Sequence, residues 1–191
     1  YRTGNKHWLF GKWRDQMISF RWLHLTDFHW KSDFHRTYWG EIEPKLFDDI
    51  ERLHKDNRCG GNWDVVFFTG DLVNKGGAGE YKDLNKRLKR LKAKLEGLGS
   101  KPFFLSVPGN HDLVRPQNSN PCLAVLTQLW DTDKNASKEL WKWSSTSRYV
   151  KTIKDSFKNY LNWQKTMSYV FPLPNEMREG LLPGDFAATM E

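Results

Sequence analysis

Three short segments of this sequence carry the residue types that metal-assisted chemistry needs. Asp27-Phe28-His29 offers a carboxylate and an imidazole two positions apart. Gly70-Asp71 offers a second carboxylate, and Gly109-Asn110-His111-Asp112 an amide, an imidazole and a third carboxylate. Carboxylate with imidazole suits a divalent ion such as Mn, Fe, Zn, Ni or Co, and the Asn amide oxygen is a weaker, neutral partner. A carboxylate such as Asp71 has two oxygens and can bridge two cations. The glycines have a physical task here: Gly70 and Gly109 let the backbone turn sharply beside a metal with no Cβ in the way.

Each segment follows a short apolar run: 21–26 (RWLHLT), 64–69 (DVVFFT) and 102–107 (PFFLSV). Runs of this length, stopped by turn residues, read as buried strands. Two helical patterns lie between them. Ile42, Leu46, Ile50 and Leu53 predict a helix over 41–55, with Pro44 in its first turn, where a missing N–H does no harm. Tyr81, Leu84, Leu88, Leu91 and Leu95 predict a helix over 80–96, ended by Gly97 and Gly99. Alternation of strand and helix, with strands apolar on both faces, argues for an α/β fold with a parallel sheet and helices on both sides. In such a sheet ligands bind at the carboxyl ends of the strands. Asp27, His29, Asp71, Asn110 and His111 all fall there.

The three segments in order, within LHLTDFHW, VVFFTGDLVNKG and FLSVPGNHDLVR, resemble the first three motifs of the calcineurin-like metallophosphoesterases. The resemblance covers roughly residues 20–115. It implies a β-sandwich flanked by helices and a site for two divalent metal ions, with Mn favoured. Asp27 and His29 would bind the first metal, Asp71 would bridge, and Asn110 would bind the second. His111 would be a catalytic residue rather than a ligand, standing near the leaving group as general acid or phosphate contact. Asp112 would orient it by a hydrogen bond. The implied reaction is hydrolysis of a phosphodiester or phosphomonoester by in-line attack of a hydroxide held between the metals.

One departure from the family pattern matters. The family has later histidine motifs, and no histidine follows His111 in this sequence. The expectation is a fold incomplete at its C-terminus: 1–112 as the N-terminal half of the core, 113–185 as a helical cap or insertion, and 186–191 as the start of the next core strand. The competing expectation is a degenerate phosphoesterase fold kept as a non-catalytic binding or regulatory module.

Within 113–191, residues 122–130, 137–143 and 147–168 read as helical, and Val150, Ile153, Phe157, Tyr160 and Leu161 share a face. Pro172, Pro174 and Pro183 speak against regular structure around them. Trp130, Trp141, Trp143 and Trp163 read as anchors of a small apolar cluster more than as base-stacking platforms. His24 reads as a core histidine or a support of the site. His7, His35 and His54 read as ordinary polar residues, with His54 favourable at a helix C-terminus.

Composition bounds the rest. The 191 residues suit one domain, or one with an insertion. An aromatic content of 15% excludes a disordered chain. No apolar run reaches the roughly 18 residues of a membrane span, so no membrane partner is expected. Two cysteines, Cys59 and Cys122, exclude a disulfide scaffold and fit a cytoplasmic location. The first 20 residues hold no apolar signal segment. The net charge of +7 favours an anionic substrate, such as a phosphate ester in a nucleotide or nucleic acid. The basic helix 80–96 could meet a nucleic-acid backbone, but a solvated face is the commoner explanation. Fusion to, or association with, further domains is also expected.

Overall fold

Three strands form where the apolar runs stand: β1 (Trp22–Leu25), β2 (Val65–Thr69) and β3 (Phe103–Val107). They are seen in a computed structural model that describes residues 20–56, 60–116, 120–129, 146–167, 172, 174 and 176–189. Valine and phenylalanine dominate β2 because branched and aromatic side chains pack well on a pleated surface. The strands are parallel in the order β1-β2-β3, with Leu23 beside Val66 and Val66 beside Phe104.

Helix α1 (Asp33–His54) joins β1 to β2, and α2 (Ala78–Gly97) joins β2 to β3. Right-handed crossovers between strands laid down in chain order carry successive helices to one face. The core shows this: Leu23, Val66, Phe68 and Phe104 pack with Ile50 of α1 and with Leu84, Leu88 and Leu95 of α2. The expectation of helices on both sides is corrected, since α1 and α2 share a face. On the opposite face Trp22 and His24 are exposed. His24 is therefore not a core residue; its Nε2 lies 2.6 Å from Thr69 Oγ1.

Helix α1 begins earlier than the apolar stripe suggests. Ser32 caps it, its Oγ accepting from the His35 N–H at 3.3 Å, and Asp33 suits the positive end of the helix dipole. Pro44 consequently lies inside the helix, not in its first turn. It removes one backbone bond, and burial of Trp39 and Ile50 on either side of it offsets that loss.

Helix α2 buries Tyr81, Leu84, Leu88, Leu91 and Leu95, the residues its periodicity singles out. Each buried leucine contributes about 1.5–3 kcal/mol. Several of its cations meet carboxylates of α1: Arg90 Nη2 lies 2.8 Å from Glu43 Oε2, and Lys94 Nζ 2.6 Å from Glu51 Oε2. Hydrogen bonds from Lys55 and Lys94 bring the Glu51 carboxyl down to about 2.

Beyond β3, α3 (Pro121–Ala124) runs into a π-helical turn at Val125–Leu129. The stretch read as one helix over 147–168 is two, α4 (Arg148–Ser156) and α5 (Lys158–Met167). Where a cap was expected, α5 enters the core with Tyr160, Trp163 and Met167 buried. The Tyr160 hydroxyl donates to the Ser106 carbonyl at 2.8 Å. Trp163 stacks on Tyr81, with centroids 5.3 Å apart, and its Nε1–H donates to Asn85 Oδ1 at 2.7 Å. The helix expected at 137–143, with Trp130, Trp141 and Trp143, lies outside the described residues, as do His7 and Cys59. Strands β4 (Glu176–Glu179) and β5 (Phe186–Thr189) form an antiparallel pair. β5 stands where the sequence suggests a strand, but it pairs with β4 and not with the parallel sheet. β4 was not expected; Pro174 and Pro183 flank it without occupying it. Among the described residues no helix is long and apolar enough to cross a membrane.

Candidate metal centre

The loops that leave the three strands are laced together through their backbones. Asp27 N donates to Gly70 O at 3.3 Å, His29 N to Asp71 O at 2.7 Å and Trp30 N to Leu72 O at 3.0 Å. Gly70 N donates to Val107 O at 2.9 Å, tying the second loop to β3. The lacing holds an unusual backbone: φ is +54° at Asp27, +44° at His29, +72° at Lys31 and +51° at Asp71. A side chain in this left-handed region costs about 1–2 kcal/mol per residue. Such strain persists where surrounding structure over-determines it, and it clusters at functional sites. Here it turns Asp27 and His29 to one side of the loop and Phe28 and Trp30 to the other.

On the first side the donors converge. His29 Nε2 lies 3.7 Å from Asp27 Oδ1 and 3.6 Å from Asp71 Oδ2. The His29 and His111 rings meet edge to face with centroids 4.6 Å apart. Ligand atoms of His29, Asp71 and His111 all lie within 4.8 Å of one another. Asn110 sits on the third loop, exposed to solvent.

The third loop is locked to the second. His111 N donates to Asp71 Oδ1 at 2.9 Å. His111 Nδ1 lies 2.9 Å from the Asn74 carbonyl oxygen. A carbonyl only accepts, so Nδ1 carries a proton and donates it there, which leaves Nε2 facing the centre.

Asp112 does something other than what the motif implies. It is buried beneath the loops, and its carboxylate accepts from Gly109 N at 2.8 Å, Leu72 N at 3.1 Å, Val73 N at 3.1 Å and the Tyr81 hydroxyl at 3.0 Å. The expectation that Asp112 orients the His111 ring is corrected: the Asn74 carbonyl does so, and Asp112 clamps two loops. Burial pushes its carboxyl up, while the N–H groups of Gly109, Leu72 and Val73 and the Tyr81 hydroxyl pull it down. Burial, then the Asp112 charge, raises the Tyr81 hydroxyl.

The residues fit a divalent cation. Two imidazoles and the Asp71 carboxylate converge, with Asp27 beside His29; one Asp71 oxygen is held by His111 N, and the other faces His29. Close backbone approach is built in: a Cβ at Gly109 would overlap Asp71 Oδ1 and lie 2.5 Å from Asp71 N. Gly70 has φ +90°, which glycine adopts without cost.

Sequence reasoning missed several supports. Asn74 and Tyr81 act through the third loop, and nothing in a linear motif marks a carbonyl or a helix hydroxyl. His35, read as ordinary, is only 8% exposed and stacks on Trp39. Its four-residue spacing to Trp39 and Glu43 is the signal that could have found it. His54 Nδ1 meets the Gly61 carbonyl at 2.8 Å.

No curated protein matches this sequence. The family model for calcineurin-like phosphoesterases matches residues 20–184, which includes all three loops, their strands and helices α1 to α5. The match spans most of the chain, and with strand-end donors gathered at one edge of a parallel sheet, this chain belongs to the calcineurin-like phosphoesterase family.

Proposed function

We propose that this protein is a metal-dependent phosphoesterase that hydrolyses phosphodiester or phosphomonoester bonds at a dinuclear centre, with a nucleotide or nucleic acid supplying the ester. The convergence of His29, Asp71 and His111 within 4.8 Å carries this reading. Asp27 and His29 would hold one divalent ion, with Mn favoured, Asp71 would bridge, and Asn110 would hold the other. Such ions, when bound, supply charge neutralisation at phosphoryl oxygens and a more acidic water. The chain's own residues do the remainder. The His111 N–H keeps the Asp71 carboxylate in one orientation. The His111 ring is fixed at Nδ1 by the Asn74 carbonyl; in its doubly protonated form it would give the Nε2 proton to the leaving oxygen and become the neutral Nδ1–H ring. The net charge of +7 raises the local concentration of an anionic substrate.

The test is hydrolysis of a bis-aryl phosphodiester and an aryl monoester in Mn²⁺ by the parent and by Asp71→Asn. The variant is expected to lose about 100-fold or more in rate, together with bound metal. Equal rates would overturn the reading. One observation favours a second reading: residues 112–191 hold no histidine. In that reading the fold is a non-catalytic binding or regulatory module. Turnover by the parent above the metal-only background decides against it.

A further inference from the structure

The second and third loops of the metal centre are tied to the junction of α4 and α5. Val114 N donates to Ser156 O at 2.9 Å, and Asn159 Nδ2 donates to Gly76 O at 2.8 Å. Each contact has a cation beside it in sequence: Arg115 follows Val114, Lys158 precedes Asn159 and Lys75 precedes Gly76. Adjacent Cα atoms lie about 3.8 Å apart, so these three cations are rooted at one rim of the site. Lys75 also directly follows Asn74, whose carbonyl fixes the His111 ring. From this rim α4 leads away to Lys151 and Arg148, which lie one turn apart on one side of it. Arg148 stands eight residues before Ser156, about 12 Å along the helix axis.

All five cations are exposed, and among the described residues no ion pair holds any of them. Helix α2 is the opposite case. It carries seven cations, but Arg87 and Arg90 meet Glu43, Lys94 meets Glu51, Lys86 meets Asp83 and Lys92 meets Glu96. The sequence alone singles out α2 as the basic surface, yet ion pairing cancels most of that charge and leaves the rim and α4 uncancelled. Two residues of α4 stand apart from the row. Lys154 lines a groove with Glu179 and Asp185, so its charge is answered there. Asp155 is the one carboxylate between 148 and 167, and it is exposed.

The row of charge selects the ligand. A small phosphate ester could reach the rim but not Arg148. A lipid surface would need an apolar flank beside the cations, and α4 turns Val150 and Phe157 into the protein. An acidic protein would match the charge but bring no phosphoester to the centre. A nucleic acid brings both, successive phosphates for the cations and a phosphodiester for the metals.

We infer that Lys75, Arg115, Lys158, Lys151 and Arg148 form a track for a nucleic-acid backbone, running from the rim of the metal centre along α4. The substrate is then a polynucleotide. The inference rests on the phosphoesterase reading only for cleavage, because holding the backbone requires no metal.

The test is fluorescence anisotropy of a labelled single-stranded DNA dodecamer, titrated with the protein in EDTA over a range of salt. The logarithm of the binding constant is expected to fall against the logarithm of salt with a slope of about −3 to −4, as five phosphate contacts require. The triple variant Arg148→Gln, Lys151→Gln, Lys158→Gln should bind about tenfold or more weakly and reduce the slope by about 2. Lys82→Gln, Lys86→Gln, Lys89→Gln removes the same charge from α2 and should bind within about twofold of the parent. Asp155→Asn should tighten binding about twofold. Should the α4 triple variant fail to fold, Asp155→Asn and the single Lys151→Gln still decide. The inference is overturned if the dodecamer does not bind at low salt, or if the two triple variants weaken it equally. It is also overturned if a nucleoside monophosphate displaces the strand at equal phosphate concentration, or if phosphatidylserine vesicles bind and the dodecamer does not. Dodecamer binding with no hydrolysis of either ester in Mn²⁺ would sink the phosphoesterase reading alone. Hydrolysis of the bis-aryl diester with no dodecamer binding would sink this inference alone.

Discussion

The Tyr81 hydroxyl donates to Asp112 Oδ1 at 3.0 Å, and both residues are sealed from water beneath the candidate metal centre. The same carboxylate takes the N–H groups of Gly109, Leu72 and Val73. The second and third loops therefore share one buried clamp, and its loss should register first as stability. Asp112→Asn replaces an acceptor with a donor that faces other donors. It is expected to cost about 2–4 kcal/mol in urea unfolding, and Tyr81→Phe about 1–3 kcal/mol. A large fall in rate with unchanged stability would show instead that Asp112 serves His111.

Gly109→Ala tests close approach in isolation. The new Cβ would meet Asp71 backbone N as well as its carboxylate, and the backbone cannot swing aside as a flexible side chain would. A cost of about 1–3 kcal/mol is expected, together with weaker metal uptake because Asp71 is displaced. Metal content by mass spectrometry and melting temperature measure the two effects. An unchanged metal content would mean that the loops yield more easily than their backbone lacing implies.

His111→Gln separates proton transfer from ligation. As a general acid, His111 is expected to be worth about 100- to 10,000-fold in rate, with metal content nearly intact. Loss of metal in the variant would make His111 a ligand, as its place within 4.8 Å of His29 and Asp71 would also permit.

His35 gives the fold a dependence on pH. Burial lowers its pKa, the Phe28 backbone draws it up, and His29 lowers it further. Glu43 on its own helix and Arg87 on α2 border the open groove that His35 lines between α1 and α2. A depressed pKa means that the unfolded chain binds the proton more readily. Stability is thus full above the unfolded value of about 6.5 and falls as pH drops toward the folded value. The urea midpoint of the parent should fall more between pH 7.5 and pH 5.5 than that of His35→Gln. Equal falls would remove His35 from the account.

Trp163→Ala tests whether α5 belongs to the core. Removing an indole that stacks on Tyr81 and bonds Asn85 is expected to cost about 3–5 kcal/mol. Amide protection in β3 should fall with it, since Tyr160 of the same helix holds the Ser106 carbonyl. A local effect confined to 158–167 would mean that α5 is only draped on the core.

Some of this was written in local order. The three strands, the buried face of α2 and the meeting of Asp27, His29, Asp71 and His111 at one sheet edge follow from apolar runs stopped by chemically distinctive turn residues. These features are legible because each depends on a few neighbouring residues: a run buries itself, a period sets a helix face, and parallel strands must end together. Glycine at 70 and 109 could likewise be understood from the room a metal site demands.

Other features were settled only by folding. The start of α1, the placing of both helices on one face, the entry of α5 into the core and the pairing of β5 with β4 depend on which surfaces meet. Asp112 illustrates the limit best. Its position beside His111 suggested service to that ring, yet its carboxylate is claimed by N–H groups 39 and 40 positions away and by a hydroxyl 31 away. A buried carboxylate takes whatever donors the tertiary fold delivers to it, and adjacency in sequence has no say in that.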